Sequence, residues 1–162
     1  MKKFFKTPDQ IYALMQQWFL SYHGENRGFF TGTEIFTFFD LSPEDVQRSI
    51  RQKANLDERE KPVLLLNCDN SVFVLNTTHR FIRVGESDLD SILYTDFDGH
   101  AGFNSINIKG TEKGIKADGY FAEFGLATQS RGIVYWSIPS GRPGFAFWNI
   151  TKKCTLIGRK YL

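Results

Sequence analysis

The acidic residues Asp88, Asp90, Asp96 and Asp98, with His100 close behind, are the densest set of side chains able to hold a metal ion or move a proton. Two of the acid pairs have the i, i+2 spacing that puts both carboxylates on one face of a strand. A further converging carboxylate would complete a divalent-cation site. The segment fails the calcium-loop pattern, because Gly99 follows Asp98 directly instead of taking the sixth position of a loop. Asp-Gly is a turn signature, so the expectation is a polar turn between strands and no tight metal site.

The remaining reactive residues are scattered. His23, His79 and His100 each stand beside Gly or Thr in turn context, with no paired-ligand spacing, and are expected to face solvent. No GxSxG elbow occurs, and neither Cys68 nor Cys154 has a sequence-local activating partner. The two cysteines lie far apart without CxxC spacing and read as reduced thiols. Lys109-Gly110-Thr111-Glu112-Lys113-Gly114 lacks the Gly-Lys-Ser/Thr ending of a phosphate loop and reads as a hairpin loop. No cofactor is implied, and the expectation is a protein that is not an enzyme. Two sets remain as candidate partner contacts: the basic strip Lys109, Lys113 and Lys116, and Arg142 within Ser140-Gly141-Arg142-Pro143-Gly144.

A chain of 162 residues suits one main core with an appendage. With 41% hydrophobic and 23% charged residues it is neither disordered nor collagen-like, and a balance of +2 gives no general pull on polyanions. No apolar run approaches the ~20 residues of a membrane span. Met1-Lys2-Lys3-Phe4-Phe5-Lys6 leads into an amphipathic stretch and not into a signal-peptide core, so a cytoplasmic protein is expected. Aromatic residues make up 15% of the chain, mostly in strand-like context, which favours a β component.

The elements follow from capping and period. Thr7, Pro8 and Gln10 predict a helix start, Gly24 a stop, and Ile11, Leu14, Met15, Trp18, Phe19 and Tyr22 form one helical stripe. Ser42-Pro43-Glu44-Asp45 predicts a second helix, capped by Ser42 and running to about Ala54. Residues 33–39 are read as a short helix, although their aromatic alternation also fits a strand. The charged run 57–61 is a connector, after which the period changes to two. Seven strands are expected, over 63–66, 72–75, 80–84, 89–97, 102–109, 115–126 and 133–138. Phe145, Trp148, Thr151, Cys154 and Ile157 then approach helical spacing, with Gly158 as stop, while a strand over 145–150 remains an alternative.

Phe73-Val74-Leu75-Asn76-Thr77-Thr78-His79-Arg80-Phe81-Ile82-Arg83-Val84, followed by Ile92-Leu93-Tyr94-Thr95-Asp96-Phe97 and by Trp148-Asn149, resembles bacterial pleckstrin-homology-like domains over about residues 60–157. The resemblance implies an α+β protein: N-terminal helices over 1–60, then over 61–162 a seven-stranded antiparallel barrel capped by a C-terminal helix. It implies recognition of a protein or peptide at a sheet edge or at the groove between barrel and helix. In lipid-binding relatives basic residues cluster at the first hairpin loop. The matching loop here, Asn67-Cys68-Asp69-Asn70-Ser71, has an acid and no Lys or Arg, so phosphoinositide binding is not expected.

A second resemblance lies upstream. Residues 33–54 match the spacing of a helix-turn-helix segment, which would offer Gln47, Arg48, Arg51 and Gln52 to a DNA groove. Phe36 stands where a small residue lets the two helices approach, and Asp40 where glycine takes the left-handed turn. DNA binding is therefore the alternative to a binding module, with an unrecognised enzyme third. If the stripe of Ile11, Leu14 and Trp18 finds too little surface on its own barrel, a second copy is the expected cover.

Overall fold

The computed structural model describes residues 3–69, 71–104 and 121–162. Its first helix, α1 (Pro8–His23), begins and ends at the signals in the sequence. The Thr7 hydroxyl accepts from the Gln10 amide, the Gln10 side chain accepts from the Thr7 amide, and Gly24 closes the helix with φ 66°. Ile11, Met15 and Phe19 are buried, and the helix lies against β2 (Pro62–Asn67) and α3 (Arg142–Thr151).

Residues 33–39 do not form the expected helix. Phe36–Phe38 is a strand, β1, whose residues pair with Leu66, Leu65 and Leu64 of β2. The alternation decides it: both phenylalanines point to one face, where their rings meet Phe19 at 5.3 and 4.7 Å. A single 3₁₀ turn, Phe39–Leu41, then sends Phe39 to the opposite face. With a strand in place of the first helix, the helix-turn-helix geometry is not formed.

The helix α2 (Glu44–Ala54) starts two residues beyond Ser42, whose hydroxyl donates to the Phe39 carbonyl at 2.6 Å and does not cap it. Gln47 braces the entry instead, donating to the Ser42 carbonyl at 2.8 Å. Ile50 and Ala54 of α2 join Phe39, Leu65, Leu75, Ile82 and Val84 in a small outer cluster.

The strands β3 (Phe73–Thr77), β4 (Arg80–Val84) and β5 (Leu89–Leu93) complete an antiparallel sheet of order β1-β2-β3-β4-β5. This sheet is covered on both faces: Leu64, Leu66 and Val74 belong to the main core, whereas Leu65 and Leu75 lie in the α2 cluster. That is why β2 reads as an unbroken apolar run. A second antiparallel sheet holds β6 (Phe97–Asn104), β7 (Phe121–Thr128) and β8 (Gly132–Pro139) in that order.

The seven-stranded closed barrel is thereby corrected. Among the described residues there are eight strands in two separate sheets. The expected strand over 89–97 is divided, because Tyr94 is buried and the chain turns there, with the Asp96 amide donating to the Leu93 carbonyl. Side chains bridge between the sheets near β5 and β8. Arg131 donates to the Asp90 carboxylate at 3.0 Å and to the Ser91 carbonyl at 3.2 Å, and the Trp136 indole donates to Asp90 at 3.1 Å.

Between the sheets lies α3, a helix over the stretch for which a strand was the alternative. Its Phe147 meets Phe36, Phe81 and Phe124 at 5.7, 6.2 and 6.2 Å. The helix ends before Gly158, and a further turn, Cys154–Leu156, leads into a π-helical turn, Ile157–Tyr161. Gly158 sits inside that last turn and presses on the Tyr94 carbonyl, where a Cβ would collide with backbone. Gly158→Ala is expected to lower stability by about 2 to 4 kcal/mol, as overpacking against unyielding backbone does, read as a lower urea midpoint with unchanged slope.

A buried polar node ties α2 to the β3–β4 hairpin. Glu60, 6% exposed, accepts from the Asp57 amide, from Thr77 at 2.7 Å and from Arg80 at 2.7 Å, while Arg80 also donates to the Asn55 carbonyl. Burial pushes the Glu60 carboxyl upward, but these hydrogen bonds and the Arg80 charge hold it below the ordinary value. Glu60→Gln leaves Arg80 without its counter-charge and is expected to cost about 3 kcal/mol, measured by chemical unfolding at neutral pH.

Candidate functional site

The loop after α1 builds one wall of a cleft. A 3₁₀ turn, Arg27–Phe29, carries the chain past Gly24, and Phe30 packs on Phe19 and His23 at 5.0 and 5.3 Å. Arg27 fixes the turn by pairing with Asp40 and by lying over the Phe38 ring at 4.5 Å, and Tyr12 donates to the same carboxylate. Phe29 is left 64% exposed and Ile35 46% exposed.

Glu34 shapes the bottom of this loop. Its carboxylate accepts from the amides of Thr31 and Gly32 at 2.8 and 2.9 Å and from the Thr37 hydroxyl at 3.1 Å. Burial pushes the carboxyl upward, and these donors outweigh it, so Glu34 titrates below its ordinary value and stays charged. A carboxylate so saturated is a loop staple and a poor proton acceptor.

The opposite wall comes from distant parts of the chain: Asn67 at the end of β2 and Asp69 beyond it, Phe121 at the start of β7, and Pro139, Ser140, Arg142, Pro143 and Ala146 where β8 passes into α3. Gly141, at φ 75°, permits that abrupt passage. The space enclosed is about 730 Å³, within the range of pockets that take small molecules or a few residues of a peptide. His23 lies on the same lining, and its Nε2 is buried without a hydrogen-bond partner among the described residues. Burial lowers its pKa, against the charges of Glu25 and Glu34.

Of the residues singled out in the sequence, Arg142 comes to the cleft. Lys109, Lys113 and Lys116 lie outside the described residues. Gln47, Arg48, Arg51 and Gln52 stand on α2; Gln47 is engaged with the Ser42 and Asp40 carbonyls, and Arg51 lies over the Phe39 ring at 5.2 Å. Ile11 is fully buried in the chain's own core, Trp18 is half-buried under Lys153, and Leu14 is half-buried.

The acidic cluster is distributed among structural tasks. Asp88 pairs with Arg83, Asp90 binds Arg131 and Trp136, Asp96 holds Ser130 in the β7–β8 turn, and Asp98 accepts from Gln129. Among the described residues no group of His, Cys, Asp and Glu side chains is placed to hold a metal ion. Burial pushes the thiols of Cys68 and Cys154 up to about 12, which makes them poor nucleophiles.

His100 is not solvent-facing. It stacks on Trp148 with ring centroids 4.7 Å apart, and its Nε2 meets the Thr151 hydroxyl at 2.9 Å. Thr151 gives its own hydrogen to the Phe147 carbonyl, so Nε2 of His100 is the donor to Thr151, and burial of the ring favours its neutral form. Sequence reasoning missed His23, Phe29, Phe30, Glu34 and Ile35 as a group. Their one local signal is the Phe29-Phe30 pair inside a glycine-containing loop, of which Phe29 is exposed and Phe30 buried.

No protein-family model matches the chain, and it has no match among curated proteins or solved structures.

Burial brings the His100 pKa down to about 4 from an ordinary 6.5, partly opposed by the Gly125 backbone. Between those values the unfolded chain takes up a proton that the folded chain refuses, so stability is full above the ordinary value and is lost as pH falls toward the folded one. His23, shifted the same way, adds to the effect. Lowering the pH from about 7 to about 4.5 is expected to remove about 2 kcal/mol through His100. His100→Gln should flatten most of that slope in urea titrations at the two pH values.

Proposed function

We propose that the protein is a non-enzymatic binding module of pleckstrin-homology-like architecture that recognises a protein or peptide segment through apolar side chains seated in the cleft beneath Phe29 and Ile35. The single observation that carries this reading is the cleft itself, about 730 Å³ and walled largely by Phe29, Phe30, Ile35, Phe36, Phe121 and Pro143. Apolar walls with a few polar groups suit recognition, and His23, whose Nε2 has no hydrogen-bond partner among the described residues, supplies a polar anchor on the same lining.

The family reading draws support from the order of the elements. A four-strand meander, β2 to β5, is followed by a three-strand group, β6 to β8, and then by a helix whose apolar face enters the space between them. β1 is an addition on the outer side of β2. The loop equated with the lipid-gripping hairpin bears Asp69 on the cleft wall and contains no Lys or Arg, which disfavours an inositol phosphate.

A binding role fits the titrating groups better than catalysis does. Tyr94, His100 and Cys154 owe their shifts to burial in the core and are not on the cleft lining, Cys68 is a buried thiol raised by burial, and His23, which is on the lining, is shifted by burial without an acid or nucleophile hydrogen-bonded to it. In the cleft, Glu34 spends its carboxylate on its own loop.

The test is selection of peptides from a displayed library of random dodecamers on the whole protein. Enriched sequences should carry apolar or aromatic residues. Phe29→Ala and Ile35→Glu, both at exposed positions, should weaken the selected peptides about tenfold or more, the loss typical of an interface anchor. Undiminished binding to both variants, each with an unchanged melting temperature, would remove the cleft as the recognition surface.

A further inference from the structure

His23 holds a place on the cleft lining that only one of its two protonation states fits. Its ring is set into an aromatic stack, with centroids 4.5 Å from Phe19, 5.2 Å from Tyr22 and 5.3 Å from Phe30. Nε2 is buried there and meets no hydrogen-bond partner among the described residues. A neutral imidazole leaves that nitrogen bare at modest cost. An imidazolium carries hydrogen on both nitrogens, so a charged ring in the same seat buries a donor and a charge with nothing to receive them.

The charged ring has a better position close by. His23 closes the last turn of α1, where the helix dipole favours a cation, and Gly24 turns the chain immediately after it. Burial, the largest influence on His23, lowers its pKa, while the charges of Glu25 and Glu34 oppose that. Asp69 and Arg142 are the other charged residues on the cleft lining. A ring swung toward solvent keeps the helix end beside it and escapes the burial. Phe30, buried and part of the lining, takes some of its backing from the seated imidazole and the rest from Phe19, Phe29 and Phe38. Withdrawal of the imidazole empties the space behind Phe30, and a close-packed wall does not keep its shape over a void.

We propose that the cleft is gated by acid: proton uptake by His23 draws its ring out of the stack with Phe19 and Phe30, and the wall it backs loses the shape that holds an apolar ligand. This rests on the cleft being the recognition surface and adds the condition under which it works. Two arrangements compete, a neutral ring seated inside and a charged ring outside, and pH selects between them. Because burial depresses the folded-state pKa, binding is full above the ordinary histidine value and fades as pH falls through the folded one. Glu34 does not titrate alongside, since its loop donors hold its carboxyl below the ordinary value.

The test uses the full chain carrying His100→Gln, which removes most of the global response to acid, with the His23 and Phe30 rings and the Ile35 methyl group followed by NMR. Indole is the probe, being apolar and uncharged over the range used. Between about pH 7.5 and about pH 5.5, which spans the ordinary histidine value, the Phe30 and Ile35 signals should shift with the same midpoint as the His23 ring. Indole should bind at least about fivefold more weakly at the lower pH, the smaller end of ordinary coupling between two events. In His23→Phe, whose ring takes no proton, the ratio of the two affinities should be about one, whatever the affinity itself. Circular dichroism at both pH values confirms that each protein is folded. The proposal is overturned by a His23 titration that leaves Phe30 unmoved, by indole binding equally or more tightly at the lower pH, or by a pH ratio that survives in His23→Phe. Failure of indole to bind at either pH sinks the cleft reading instead, and is told apart from failure of the gate because the His23 and Phe30 signals need no ligand.

Discussion

Phe147 and its neighbours on α3 are the element on which the rest of the structure depends. Two sheets that remain separate expose two apolar inner faces, and neither can be satisfied by the other alone. The helix supplies the missing surface, placing Ala146, Phe147 and Ile150 among residues from both sheets. Bridging side chains, chiefly Asp90 with Arg131 and Trp136, hold the two sheets near β5 and β8, and their hydrogen bonds add direction to a contact that burial alone leaves unoriented.

The same wedge creates the cleft. Where β8 gives way to α3, the chain turns through Gly141 and leaves an opening toward β2, which the aromatic loop after α1 covers only in part. α1 therefore does more than fill space. By burying Phe19 against Phe30, Phe36 and Phe38 it fixes the loop that forms the cleft's other wall. Arg27 with Asp40, and Glu34 with its own loop amides, spend their charges on holding that wall rigid.

Local chemistry decided much of this from sequence alone. The capping box at Thr7 and the αL glycine at Gly24 delimit α1 without reference to anything distant, because the groups they satisfy are a few residues away. The period-two runs after Pro62 likewise announced strands, and the wet loop at 67–71 announced a turn. Tertiary structure alone decided whether Phe36–Phe38 was helix or strand, since the answer lies in the backbone of Leu64 to Leu66. It decided that the strands form two sheets and not one barrel, that His100 is stacked inside on Trp148, and that Gly158 is there to let Tyr94 approach. The cleft was illegible for the same reason: His23, Ile35, Asp69, Phe121 and Arg142 become neighbours only through long-range closure, and nothing in residue spacing encodes a hollow whose walls are over a hundred positions apart in the sequence.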